Sequence, residues 1–228
     1  MRDDPPIRPD DPASIRSMFE GLAPDYDRLN DVLTFGLVRG WRRAMTAAAA
    51  VARGSRALDV CTGTGRSLAP LQRAVGGTGL AVGVDFTPGM LARARGVLVQ
   101  ADAMRLPFPS GVFDAAVCSF ALRDVADQDQ VISEMARVTR PGGRVVILEI
   151  GRPRGAVLRL GFDLWFRGAV PRIAGAMGHG ASHRFLVRSV GYLPEPEALC
   201  RRMEDAGLDG ARWRPLSLGA AHLFWATA

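Results

Sequence analysis

Three carboxylates and a pair of glycines carry the chemistry of this chain. In ALDVCTGTGRSL, residues 57–68, Asp59 stands near the end of a short apolar run. Gly63 and Gly65 then turn the backbone tightly, so that N–H groups with no Cβ in the way face a ligand at the start of the next helix. Asp85 follows Gly65 by twenty residues, at the end of VGVD. A carboxylate at that place accepts hydrogen bonds from both hydroxyls of a ribose. Asp102 follows the next apolar run, in QADAMRLPF, where a carboxylate can take an adenine amino group. Together these groups describe a site for a nucleotide-like cofactor.

Spacing narrows the choice of nucleotide. A dinucleotide fingerprint requires a third glycine at position 68, where this chain has Leu68. No Gly-Lys-Ser/Thr follows the loop, so a nucleoside triphosphate cradle is absent too. What remains is the pattern of an S-adenosylmethionine site, in which Asp59 accepts from the cofactor's ammonium group or acts on it through water. Asp and Gly are common in any turn. Three acids in order at the ends of successive strands are not explained by turn preference.

The elements that must hold these groups are legible as alternating short apolar runs and helical segments. Strands are expected near Arg56–Val60, Leu80–Val84, Val97–Gln100, Ala115–Cys118 and Arg144–Ile150. Helices are expected near Ser67–Val75, Pro88–Arg95 and Gln128–Thr139. Strands joined by crossover helices imply an α/β fold, a doubly wound and mostly parallel sheet with helices on both faces. Ahead of it, residues 13–54 predict two short helices broken at Pro24 and a third closed by Gly54. At the end, PEPEALCRRMEDAGL predicts a helix stopped at Gly207, then two closing strands joined by a tight Gly219-Ala220 turn. Residues 1–12 read as a loose leader, and 13–228 as one domain.

Composition excludes several classes. Charged residues are 23% of the chain and hydrophobic ones 48%, which excludes wholesale disorder. The longest apolar stretch, Ala44–Ala52, lies between Arg43 and Arg53 and is well under the roughly 18 residues of a spanning helix. The N-terminus carries acids and prolines where a secretory signal needs an apolar core, so a cytoplasmic location is expected. Cys61, Cys118 and Cys200 form no C-x-x-C pair and predict neither a disulfide framework nor zinc, only small buried side chains. His179 and His183 are four apart, but Gly178 and Gly180 break the helix such a chelate would need, so no metal is expected. The net charge of +6 comes from 29 basic residues that are all arginine, which reads as compositional drift. With aromatics at 7% and no RNA-binding signature, nucleic acid is not an expected partner. Residues 151–194 hold seven arginines against the single acid Asp163. This basic amphipathic cover predicts either contact with anionic lipid or closure over an apolar ligand, or else a solvated helix face with arginine stems on the core.

On these motifs the chain resembles the class I S-adenosylmethionine-dependent methyltransferases, whose sheet has seven strands in a Rossmann-like arrangement. LDVCTGTG, VGVDFTPGML, ADAMRLPF, GVFDAAVCSFALRDV and EMARVTRPGGRVVILEI carry that resemblance. Within them it resembles the ubiquinone/menaquinone biosynthesis C-methyltransferases, through MFEGLAPDYDRLNDVLTFGLVRGWRR, the stretch 119–123, and the segment from LWFRGAVPRIAGAM to HRFLVRSVGYLPEPEAL. The resemblance implies cofactor contacts at Thr64, Asp85, Asp102, Ala103 and Ser119, with Phe86 beside Asp85 in VGVDFTPGML. It also implies substrate-pocket roles for Arg123 and Tyr26. The chain departs from the family at Arg66, at Asp124 in place of the usual asparagine, and at His183-Arg184-Phe185.

The implied reaction is transfer of a methyl group from the sulfonium to a quinol ring, with a demethylmenaquinol-like prenylated acceptor preferred. A soluble aromatic or polyketide-like acceptor, methylated on oxygen or carbon, is the alternative. A ring carbon becomes nucleophilic when an adjacent phenol, with a pKa near 10, loses its proton. Arginine stays protonated, so Arg123 is expected to stabilise the oxyanion, with Asp124 or a water it holds taking the proton and Tyr26 orienting the ring. An ion pair of Arg123 with Asp124 or Asp127, and a core role for Tyr26, are the structural alternatives. His183 is a second candidate base. Peripheral membrane contact and a homodimer are both compatible with this reading.

Overall fold

The strand Arg56–Val60 (β1) is buried at every residue but its first. That pattern belongs to a strand covered on both faces rather than one half-exposed to water. β1 pairs in parallel with Leu80–Asp85 (β2) on one side and Phe113–Ser119 (β4) on the other. Val97–Gln100 (β3) extends the sheet beyond β2, and Thr139–Ile150 (β5) extends it beyond β4. Two final strands, Asp209–Leu216 (β6) and Ala221–Thr227 (β7), are antiparallel, and the sheet order is β3-β2-β1-β4-β5-β7-β6. The fold is the Rossmann-like class I methyltransferase arrangement, described in a computed structural model for residues 11–176, 178 and 180–228, without the side chains of 181, 183, 184 and 186. The leader expected over residues 1–12 lies outside the described residues up to residue 10, and Pro12 already begins a helix.

The helices are Pro12–Leu22 (α1), Tyr26–Leu33 (α2), Leu37–Ala48 (α3), Leu68–Val75 (α4), Pro88–Leu91 (α5), Gln128–Val138 (α6), Ala156–Asp163 (α7), Val170–Ala176 (α8), Gly180–Ser189 (α9) and Pro196–Asp205 (α10). Alternation along the strands divides the core. Leu58, Val60, Val84, Cys118 and Ile147 face Ile132 and Met135 of α6 and Met203 of α10. Ala57, Val117, Val146 and Leu148 face Trp41 and Met45 of α3 and Leu71 and Val75 of α4. A third cluster joins Ile15, Met18, Leu22 and Leu29 of α1 and α2 to Ala174 of α8 and Phe185 of α9. This cap lies apart from the two sheet faces and includes Tyr26 and Phe86 at its edge.

Three local expectations are corrected. Gly54 does not close α3, which ends at Ala48 with Ala50 in the left-handed region (φ 49°). The Gly54 N–H instead donates to the Val75 carbonyl, tying the approach to β1 onto the end of α4. The helix expected over Pro88–Arg95 stops at Leu91, because the chain tightens into turns closed on Met90 and Leu91 and Gly96 (φ 130°) redirects it into β3. The final turn is not a two-residue Gly-Ala hairpin. Ser217, Leu218 and Gly219 all take positive φ, and the Trp41 Nε1–H donates to the Ser217 hydroxyl at 2.8 Å.

Leu58 is fully buried in the central strand. We expect Leu58→Ala to cost about 2–5 kcal/mol of unfolding free energy, measured by urea titration. A change within about 0.5 kcal/mol would place Leu58 at the surface rather than in the core.

Candidate active site

Doubly wound sheets bind ligands outside the carboxyl ends of the strands, where the strand order reverses. Here that point lies between β1 and β4. The loop after β1 is built around its neighbour's carboxylate. The Asp85 Oδ2 accepts the Gly63 N–H at 2.8 Å, and its Oδ1 accepts the Thr87 N–H at 2.9 Å. One side chain therefore fixes both the glycine loop and the turn after β2. Burial raises the Asp85 pKa against these N–H donors. Gly65 takes a φ of 77°, which strains any side chain, and a Cβ there would crowd that of Ala94 at 3.1 Å.

The other side of the loop is bolted to the cap. The Thr64 hydroxyl donates to Asp27 of α2 at 2.7 Å, and Arg66 pairs with Asp27 at 2.8 Å and Asp31 at 3.8 Å. Arg66, a departure from the family pattern, therefore works as a clamp between loop and cap. In this arrangement Thr64 is engaged by Asp27.

Asp59 lies beneath the loop, fully buried. Its Oδ2 accepts the Thr62 hydroxyl at 2.6 Å, while Oδ1 has no hydrogen-bond partner. Burial pushes its carboxyl up to about 7, with Thr62 and Arg42 acting in the opposite sense. Arg42 of α3 is also buried, its Nε unpartnered and its guanidinium 5.6 Å from the centre of the Phe120 ring. Burial lowers its pKa, which Tyr26 and Asp59 oppose. A buried unpartnered carboxylate oxygen and a buried cation under one glycine loop suit a zwitterionic amino-acid tail, as S-adenosylmethionine has.

A cleft runs across the carboxyl edge. One lobe is walled by Asp85, Phe86, Asp102 and Ala103, and the adjoining lobe by Tyr26, Gly63, Ser119 and Phe120. Cys61, Phe86, Asp85 and Asp124 belong to both. The Asp102 Oδ1 accepts the Met104 N–H at 2.9 Å, and the Ser119 and Ser67 hydroxyls are 3.0 Å apart. Cys61 and Phe120, just past the ends of β1 and β4, adopt φ of 55° and 58°. Left-handed backbone at two non-glycine residues on one cleft wall is strain concentrated at a site. Cys61 lines the wall only partly buried, whereas Cys118 and Cys200 are buried as expected.

At the far side the expected arrangement of Arg123 and Asp124 is corrected. Asp124 stands on the cleft wall and Arg123 does not. The Arg123 guanidinium is turned to Glu149, with its Nη1–H donating at 2.6 Å, and lies 3.7 Å from Asp124. Burial alone would lower the Arg123 pKa, but Asp124 and Glu149 hold it above its usual value. Glu149, 1% exposed, also accepts the Leu122 N–H at 2.8 Å, so it fixes the backbone of the turn that carries Arg123. Of the ion pairs expected as the structural alternative, the one with Asp124 is present, and neither named Glu149. An acid inside the apolar strand VVILEI was the available signal, since buried carboxylates require pairing. Asp124 is raised to about 6, chiefly by burial, with Arg123 opposing and Glu149 adding to the rise. Tyr26 is raised by burial, with Arg42, Arg123 and Asp124 all within electrostatic reach. His179 and the side chain of His183 lie outside the described residues.

The chain is similar to known proteins in sequence and in fold. The ubiE/COQ5 methyltransferase family matches residues 10–228. The demethylmenaquinone methyltransferase of Mycobacterium tuberculosis (strain ATCC 25618 / H37Rv) is 40% identical, over 93% of this chain and 92% of that protein. The protein of the same name from Roseiflexus castenholzii is 42% identical over 91% and 90% of the two chains. That of Deinococcus radiodurans is 38% identical over 96% and 95%. Among solved structures, an S-adenosylmethionine-dependent methyltransferase of Thermotoga maritima superimposes with a TM-score of 0.65 at 19% identity, covering 93% of this chain and 99% of its own. At that identity the likeness is one of fold.

The raised Asp59 pKa fixes the sign of a stability effect. Unfolded, this carboxyl ionises near pH 4; folded, it keeps its proton to about pH 7. The native state thus binds the extra proton between those values, and stability falls as pH rises through the window. Asp59→Asn cannot ionise. Its stability relative to the unsubstituted chain is expected to rise by a few kcal/mol between about pH 4 and 7.5, read from urea titrations across pH. Parallel curves for the two proteins would contradict the assignment.

Proposed function

The chain belongs to the ubiE/COQ5 methyltransferase family and is an S-adenosylmethionine-dependent methyltransferase acting on a small molecule; from that premise we propose that it methylates a ring carbon of a prenylated quinol, a demethylmenaquinol. One geometric observation carries the chemistry: a buried carboxylate, Asp124, on the cleft wall with Tyr26 and Phe120. The acceptor's identity rests on the name borne by the Mycobacterium, Roseiflexus and Deinococcus relatives.

When bound, the cofactor supplies an electrophilic methyl group on a sulfonium. The chain's own groups then have four tasks. Asp85 would receive the ribose hydroxyls on the carboxylate lone pairs left free by Gly63 and Thr87, and Phe86, Asp102 and Ala103 would enclose the base. The glycine loop, with Ser119 beside it, would meet the amino-acid tail, over the Asp59 carboxyl and the Arg42 guanidinium. Tyr26 and Phe120 offer ring faces and edges to an aromatic acceptor. Asp124, ionised above pH about 6, accepts the phenolic proton and leaves the adjacent ring carbon electron-rich.

Magnitudes support that assignment. Moving a proton from a phenol near 10 to a carboxylate near 6 is uphill by about 5 kcal/mol. A turnover of about 10 per second corresponds to a total barrier of about 16 kcal/mol, so the step is affordable within it. Arg123 acts behind Asp124 as a positioning residue. Its charge keeps Asp124 from rising further, and Glu149 holds it there.

Three measurements test the reading. The purified chain, given labelled cofactor and a detergent-dispersed prenylated demethylnaphthoquinol, is expected to yield a ring-methylated product by mass spectrometry. Label on oxygen, or only on a soluble aromatic from a cell extract, would contradict it. The rate is expected to rise with pH through about 6, and Asp124→Asn to remove that limb. Arg123→Ala is expected to lower kcat by about a hundredfold or more while leaving cofactor affinity nearly intact; loss of cofactor binding instead would overturn its placement.

A further inference from the structure

Four of the most exposed large apolar side chains of the described residues lie on two segments that touch. Val157, Leu160 and Leu164 are 85%, 62% and 67% exposed, and Phe35 is 72% exposed. Positions 157, 160 and 164 are spaced i, i+3, i+7, so they form one stripe along α7 and into the wider turn Leu164–Ala169 that continues it. Phe35 lies in the turn between α2 and α3, in the left-handed region at φ 51°. Trp165 welds the two segments together. Its ring lies 4.6 Å from that of Phe35, and its Nε1–H donates to the Leu33 carbonyl at 3.1 Å. A folded chain leaves single apolar residues at its surface without consequence, but a stripe joined to a protruding aromatic turn marks a contact face.

Charge says what the face meets. Arg159 lies within the stripe's own helix and is exposed. Arg167 follows the stripe directly, and Arg152 and Arg167 both reach the single acid Asp163, at 3.0 and 3.4 Å. The segment 151–194 thus carries a large positive excess around exposed apolar side chains. No helix of the described residues is long and apolar enough to cross a membrane. An isologous contact with a second copy would set this cationic rim against itself. An anionic surface would be attracted to the rim while its interfacial layer took up the apolar stripe.

We propose that the face formed by Phe35, Val157, Leu160 and Leu164, with Arg159 beside it, docks the chain on an anionic lipid bilayer. The orientation follows: α7 and the α2–α3 turn lie in the interface, and the sheet stands away from it. The inference concerns the surface and stands apart from the identity of the methyl acceptor, so either can fail without the other.

The test uses the full chain and vesicles of phosphatidylcholine alone or mixed in equal parts with phosphatidylglycerol, read by co-sedimentation. Binding is expected to the mixed vesicles, to be much weaker to the neutral ones, and to fall with added salt. Leu160→Asp and Phe35→Asp are expected to weaken it by about tenfold or more, and Arg159→Gln by about fivefold. S-adenosylhomocysteine binding by calorimetry is expected to be unchanged in all three, showing that the fold and cleft are intact. Equal binding of the variants and the unsubstituted chain would overturn the proposal. So would a dimer in lipid-free solution that Phe35→Asp converts to monomer, since a second copy would then own the face.

Discussion

The geometry of the cleft depends on one carboxylate holding two stretches of backbone. Asp85 ends β2, and its two oxygens accept N–H groups from Gly63, across the sheet, and from Thr87, just beyond it. The bond from Thr87 is buried and that from Gly63 partly so, and a carboxylate acceptor shielded from water makes such bonds strong and their loss costly. Because the loop is pinned from this side by Asp85 and from the cap side by Asp27, its N–H groups are already ordered before any ligand arrives. Pre-ordering of this kind removes the entropy that binding would otherwise have to supply.

Around that anchor the chain gathers charges where burial disfavours them. Asp59, Asp85 and Asp124 are all raised by burial, and Arg42 and Arg123 stand among them with Tyr26 within reach. Such an array is poorly suited to stability alone, since replacing buried charges by apolar groups is often neutral or better. It is well suited to a cationic, zwitterionic cofactor and to an acceptor that must lose a proton. The strain at Cys61 and Phe120 falls on the same wall. Fold stability is supplied elsewhere, by the two layers of Leu, Val, Ile and Met against the sheet.

Much of this is written locally in the sequence. RALDV and LAVGVD are near-continuous apolar runs because their strands are covered on both faces, and the acids that end them sit on the carboxyl edge by topology. What escaped was nonlocal. Arg42, which no sequence motif marks, shares its helix face with Val38, Trp41 and Met45 and is buried with them. Glu149 meets Arg123 across 26 residues of sequence, and Thr64 meets Asp27 across 37, so no window of periodicity reveals either pair. Gly54 is held by a partner in a neighbouring element, the Val75 carbonyl of α4, whereas the chain after Leu91 leaves the helix in local turns closed on Met90 and Leu91 ahead of Gly96.

The central claim is that the Asp85 carboxylate organises the cofactor site, and Asp85→Asn tests it with the least disturbance. Asparagine keeps the shape but offers one accepting oxygen in place of two and no charge. Calorimetric titration of the variant with S-adenosylhomocysteine is expected to show affinity reduced by about a hundredfold or more, with thermal unfolding still cooperative. Affinity equal to that of the unsubstituted chain would contradict the account at its foundation.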